Sequence, residues 1–114
     1  MRRKMKVAVV GSRSLSEIEI AGYIPDNTEE IVSGGAVGVD NCAAEYARSR
    51  GIRLTVFLPQ YKDFGRAAPI VRNRQIVDYA DKIIVFWDGK SKGTLSVIKY
   101  AQKIRKPFEV IYCE

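Results

Sequence analysis

Five short apolar runs alternate along this chain with segments whose apolar residues recur every three or four positions. That alternation constrains the fold more than any other feature, because each run suits a strand and each periodic segment a covering helix. The runs are Val7–Val10 (ending at Gly11), Glu30–Ser33, Arg53–Leu58, Lys82–Trp87 and Phe108–Tyr112. Val7–Val10 and Ile83–Phe86 are unbroken by polar residues, the pattern of strands buried on both faces. Between the first two runs, Ser14 or Ser16 predicts the cap of a first helix. Ser14-Leu-Ser-Glu17 has capping-box spacing, and Pro25 sets the helix's end.

A second helix is predicted from about Ala36 to near Gly51, burying Val39, Cys42, Ala43, Tyr46 and Ala47. Residues 59–68 read as a longer loop, and Pro69 suits the first position of a third helix with Ile70, Ile76, Val77 and Ala80 inward. Thr94–Ile104 is the fourth helix, with Val97, Ile98 and Ala101 inward. Right-handed crossovers make this a single Rossmann-like, three-layer α/β domain over residues 7–114. Its five-stranded parallel sheet takes the order 3-2-1-4-5, with helices on both faces, behind a basic N-terminal tail of residues 1–6.

Length and composition narrow the chemistry. A chain of 114 residues supports one core. It contains no histidine, which removes Ser–His and Cys–His nucleophile pairs and the usual zinc sites. Cys42 and Cys113 form no CxxC pair and sit among apolar residues, as structural thiols in a reducing cytoplasm do. No metal site is expected. No apolar stretch is long enough for a membrane span, and the first residues do not read as a signal peptide. The net charge is +6, but Arg2, Arg3, Lys4 and Lys6 supply four of those charges, so residues 7–114 carry only +2. On that balance nucleic acid is disfavoured as a partner.

In an open parallel sheet, ligands bind beyond the carboxyl ends of the strands where the winding reverses. The chain's unusual residues fall at those ends. Gly11-Ser12-Arg13 follows the first strand and Ser33-Gly34-Gly35-Ala36-Val37-Gly38-Val39-Asp40 the second. Asp88-Gly89-Lys90-Ser91-Lys92-Gly93-Thr94 follows the fourth. Glycine admits close approach of an anion, and amides at a helix start point outward with the positive end of the dipole. Phosphate is the expected guest, with Ser12, Arg13, Ser91 and Thr94 as further donors. None of these turns is a dinucleotide fingerprint or a P-loop. Asp40 is read either as an acceptor for a ribose hydroxyl, a divalent ion or a proton, or as a favourable first-turn acid. Asp88 reads as a turn-holding residue. Asn73, between apolar positions, needs a polar partner.

The ordered set Gly11-Ser12-Arg13, Ser33-Gly34-Gly35-Ala36-x-Gly38-x-Asp40, Arg72-Asn73-Arg74 and Phe86-Trp87-Asp88-Gly89-x-Ser91-x-Gly93-Thr94 resembles the YspA-like branch of the SLOG superfamily. That superfamily takes in the SMF/DprA DNA-processing proteins and the LOG-type phosphoribohydrolases. The resemblance runs from about Val7 to Ile111 and implies a domain that binds a nucleotide or nucleotide-derived small molecule. It implies a phosphate or ribose cradle at Gly34, Gly35, Gly38, Gly93 and Thr94, with Gly11, Ser12 and Arg13 as the floor and Arg72 and Asn73 reaching in. LOG-type enzymes carry a catalytic glutamate three residues after a Gly-Thr pair. Here Gly93-Thr94 match, but that position is Val97.

The primary expectation is therefore binding of a nucleotide or phosphorylated nucleoside, as sensor or processor, with a divalent cation as an open companion. LOG-like cleavage of nucleoside monophosphates, with Asp40 as the candidate acid–base group, is one alternative. DprA-like binding of single-stranded nucleic acid, with Tyr61 or Phe64 stacking on bases, is the other. Homo-oligomerisation is left open.

Overall fold

The structure, a computed structural model, describes residues 3–35 and 38–113. Strands β1 (Met5–Gly11), β2 (Thr28–Ser33), β3 (Arg53–Val56), β4 (Lys82–Trp87) and β5 (Phe108–Tyr112) form one sheet in the order β3-β2-β1-β4-β5. Every pairing is parallel, with Ile31 opposite Leu54, Val9 opposite Ile84, and Ile84 opposite Glu109. The order is the one that the alternation of elements requires. β1 takes in Met5 and Lys6, so the expected tail of residues 1–6 is too long by those two positions.

The helices are α1 (Val39–Arg50), α2 (Tyr61–Phe64), α3 (Ala68–Tyr79) and α4 (Lys92–Lys103). On one face of the sheet, Val7, Val9, Ile31, Ile84 and Phe86 pack against Val39, Ala43 and Ala47 of α1. On the other, Ala8, Val10, Val32, Ile83 and Val85 meet Ile76 and Val77 of α3 and Val97, Ile98 and Ala101 of α4. The central strands thus bury both faces, which is why Val7–Val10 and Ile83–Phe86 tolerate no polar residue. Cys42 and Cys113 are free thiols packed at the edge of the first cluster. Among the described residues no helix is long and apolar enough to cross a membrane.

Three expectations are corrected. The helix predicted between β1 and β2 is replaced by an irregular segment with a single 3-10 turn at Ala21–Tyr23. The capping-box serine, Ser14, donates instead to Asp88 at 2.6 Å, and Glu17 adopts a left-handed φ of 55° that ends any helix there. Leu15, Ile20 and Ile24 still bury themselves on the sheet, without helical spacing. Next, residues 59–68 are not a loop throughout: they hold α2, a 3-10 turn at Gly65–Ala67 and the first residue of α3. Finally, Ile70 is 48% exposed, so it is not an inward position of α3. The start of the second helix at Ala36 lies outside the described residues; Gly38 precedes α1 with a φ of 80°.

Candidate functional site

The order β2-β1-β4 puts the ends of β1, β2 and β4 side by side, and the connections leaving β1 and β4 diverge to opposite faces. A crevice of about 400 Å³ opens at this point, reaching between the first turns of α3 and α4. Ten of the fourteen residues expected at the site line it: Gly11, Arg13, Gly34, Asp40, Arg72, Asn73, Asp88, Ser91, Gly93 and Thr94. The same wall includes Ser14, Pro69, Ile76 and Val97, which sequence reasoning did not assign to ligand contact. Ser14 had a signal, its hydroxyl beside the Gly11-Ser12-Arg13 turn, but the capping-box spacing gave that hydroxyl another use.

The four expected residues that do not line the crevice support it. Ser12 is buried; its hydroxyl lies 3.3 Å from that of Thr94 and accepts from the amide of Asp88 at 3.2 Å. Ser33 is also buried and accepts from the Gly35 amide at 3.2 Å. Gly35 lies against Val56 and Leu58, and Gly38 against the backbone oxygen of Leu15, both with left-handed φ. Gly38 is required there, since a side chain would meet backbone.

Asp88 organises the turn after β4. One carboxylate oxygen accepts from the amides of Lys90 and Ser91, each at 2.8 Å, and the other from Ser14. The Ser14 hydroxyl, followed by these amides, holds the Asp88 carboxyl well below the usual carboxylate range, so it stays ionised. Ser91 then caps α4, accepting from the Thr94 amide at 3.2 Å.

These bonds take five of the turn amides out of the set open to an anion. The N–H groups of Ser12, Gly35, Lys90, Ser91 and Thr94 all have partners within the chain. Two guanidinium groups also line the crevice. Arg72, on the second turn of α3, donates to the Gly34 carbonyl at 2.7 Å and to Asn73 Oδ1 at 2.9 Å. Its neighbour Asn73 thereby has the polar partner it needed. Burial lowers the Arg72 pKa, with Arg13 adding to that effect; the charge of Asp40 opposes it, and the group stays cationic. Arg13 is exposed and lines the same crevice.

Two basic and two acidic side chains therefore wall the crevice. Asp88 is committed to its turn, and Asp40 lies in the field of Arg72. Val97 is 3% exposed and belongs to the apolar core, so an acid–base carboxylate is missing at the position the LOG-type pattern demands. Trp87 turns its indole N–H to the Ser91 carbonyl at 3.1 Å and its ring edge-on to Tyr112, outside the crevice wall. Tyr61 and Phe64 are exposed on α2, next to α3.

The fold is that of a Rossmann-like domain, with a crevice at the switch point of the sheet. The family model of DNA recombination-mediator protein A matches residues 1–63, more than half of the chain, and the chain belongs to that family. It therefore lies within the SLOG superfamily. Among solved structures, the chain is similar to DNA processing protein A from Helicobacter pylori, a protein described by its single-stranded DNA binding mode. The identity is 24% and the TM-score 0.72, over 98% of this chain and 67% of that one, which establishes the shared fold. No curated protein matches.

The family corrects the expectation that nucleic acid is disfavoured. A net charge of +2 over residues 7–114 averages the whole surface and does not report where individual cations stand.

Proposed function

We propose that the crevice binds single-stranded DNA by its backbone phosphates. The observation that carries this reading is that Arg13 and Arg72 line one concave site at the switch point, close enough for the charge of Arg13 to act on Arg72. Arg72 is prepositioned by Gly34 and Asn73, so little side-chain freedom is lost when a phosphate arrives. Gly34 and Gly93 keep the walls low, and Asp40 accepts from donors on a base. Membership of a family of DNA recombination mediators and the likeness to a protein with a single-stranded DNA binding mode support the same partner. Cytoplasmic DNA work also suits two free cysteines.

Within the superfamily, the Phe86–Thr94 element supports placing the chain in the YspA-like branch. Lys90-Ser91-Lys92 stand there before Gly93-Thr94, where the LOG-type element has prolines and glycines.

A second reading, a phosphorylated nucleoside held as a free ligand, is favoured by one feature: Asp40 shares the crevice with both arginines, as a ribose acceptor beside a phosphate site does. Fluorescence anisotropy of a labelled oligothymidylate separates the two. The first reading expects saturable binding that weakens with salt, by about 0.7 in log K per phosphate contact for each tenfold rise in salt, and only weak competition by mononucleotides. Mononucleotides that bind as tightly as the oligonucleotide favour the second reading. An oligonucleotide that fails to bind at low salt overturns the first.

A further inference from the structure

A second cationic surface lies outside the crevice. The solvent-side groove between α3 and α4, about 520 Å³, is lined by Arg74, Lys92, Lys99, Tyr100 and Lys103, with Leu95 and Ser96 between them. At 3.6 residues per turn, Lys92, Lys99 and Lys103 fall within about 40° of one another around α4, so they form one row along the helix. Arg74 faces this row from α3, its guanidinium 5.3 Å from the centre of the Tyr100 ring. Among the described residues no carboxylate lines the groove. The nearby acid, Asp78, accepts the Tyr100 hydroxyl at 2.6 Å. Nothing in the packing of the domain needs this row, since the buried stripe of α4 is Thr94, Val97, Ile98 and Ala101.

The groove and the crevice meet at the start of α4, where Lys92 lines one and its neighbour Gly93 the other. The row from Lys92 to Lys103 runs for about 16 Å at 1.5 Å per residue. That matches roughly five nucleotides at the 3.4 Å spacing of one strand of a duplex.

We infer that the α3–α4 groove continues the binding track, taking the phosphates of a single DNA strand that leaves the crevice over the N-terminus of α4. The occupant is a polyanion because the groove offers a linear series of cations rather than a point charge, and a strand because Tyr100 adds one aromatic ring beside the row. The inference rests on the single-strand reading of the crevice.

The test compares a five-nucleotide and a twenty-nucleotide oligothymidylate on the full chain and on the Lys99→Gln/Lys103→Gln variant. Glutamine keeps helix propensity at two exposed positions, so thermal unfolding should match the wild type. The expected result is unchanged affinity for the short oligonucleotide and a tenfold or greater loss for the long one. The salt dependence for the long one should fall by about 1.4 in slope, the share of two phosphate contacts. Equal affinity of wild type and variant for the long oligonucleotide overturns the track while leaving the crevice reading standing. Failure of the wild type to bind either length overturns both. Poly-glutamate binding the groove as tightly as the long oligonucleotide assigns it to an acidic polypeptide, and again overturns the inference.

Discussion

The Ser14 hydroxyl donates to the Asp88 carboxylate at 2.6 Å, joining residues 74 positions apart in the chain. This bond ties the turn after β1 to the turn after β4, the two connections that flank the crevice. It also explains why the capping-box spacing at Ser14 yields no helix: the serine is spent on holding the switch point together.

Replacing Asp88 with Asn removes an ionised acceptor that serves Ser14 and the amides of Lys90 and Ser91. The carboxyl is held below its ordinary value, so the stability it contributes is present above the unfolded pKa of about 3.9 and is lost as pH falls through the lower folded value. The difference in melting temperature between wild type and Asp88→Asn should be largest near neutral pH and shrink below about pH 4. Thermal unfolding across pH 2.5–7 checks this, and a difference that grows on acidification contradicts it.

Glu30 gives a second, independent acid-sensitive point at the opposite end of the sheet. It is 5% exposed and accepts from Tyr79 at 2.5 Å and Thr55 at 2.7 Å, with Arg53 at 3.8 Å. Burial pushes its pKa up, but the Tyr79 and Thr55 hydroxyls with the charges of Arg53 and Lys6 outweigh burial and hold it below its usual value. Glu30→Gln should cost about 1.5–3 kcal/mol at pH 7, the scale of hydrogen bonds to a charged acceptor, and less once the carboxylate is protonated. Because Glu30 is far from the crevice, oligonucleotide affinity should not change.

Two neighbouring glycines separate binding from folding. A methyl group on Gly34 would stand 2.8 Å from Arg72 Nη1, at the end of a flexible side chain, so Gly34→Ala should displace the guanidinium and leave the fold intact. The expected result is a near-native melting temperature with affinity for single-stranded DNA reduced by about tenfold, or 1.4 kcal/mol. Gly38→Ala should do the reverse. At a φ of 80° and against backbone, it should destabilise by at least about 1–2 kcal/mol, seen as a loss of about 4 °C or more in melting temperature.

The apolar position of Val97 predicts that nucleoside monophosphates incubated with the protein release no free base by the glutamate-assisted route. Chromatography of the mixture checks this. Base release abolished by Asp40→Asn would transfer the chemistry to that carboxylate.

The sheet order, the α4 stripe, the α3 stripe apart from Ile70 and the location of the crevice were legible because each rests on a periodic or positional signal. Val7–Val10 and Ile83–Phe86 announce buried central strands, and Gly11, Gly34 and Gly93 mark the connections where the crevice forms. What could not be read was which partner each polar group would choose. Ser14 had two possible uses, capping a helix or holding Asp88, and only the pairing of β1 with β4 makes the second available. The same ambiguity hid the commitment of the Lys90, Ser91 and Gly35 amides to partners within the chain. The charge balance misled because it weighs all cations equally, whereas α4 sorts Lys92, Lys99 and Lys103 onto one side.

The most direct measurement is amide chemical-shift mapping of the labelled protein titrated with a five-nucleotide oligothymidylate at low salt. The account predicts perturbations centred on Gly11, Arg13, Gly34, Asn73 and Gly93, lost in an Arg13→Ala/Arg72→Ala variant that keeps the wild-type spectrum elsewhere. Perturbations centred away from the switch point, or persisting in that variant, would contradict it.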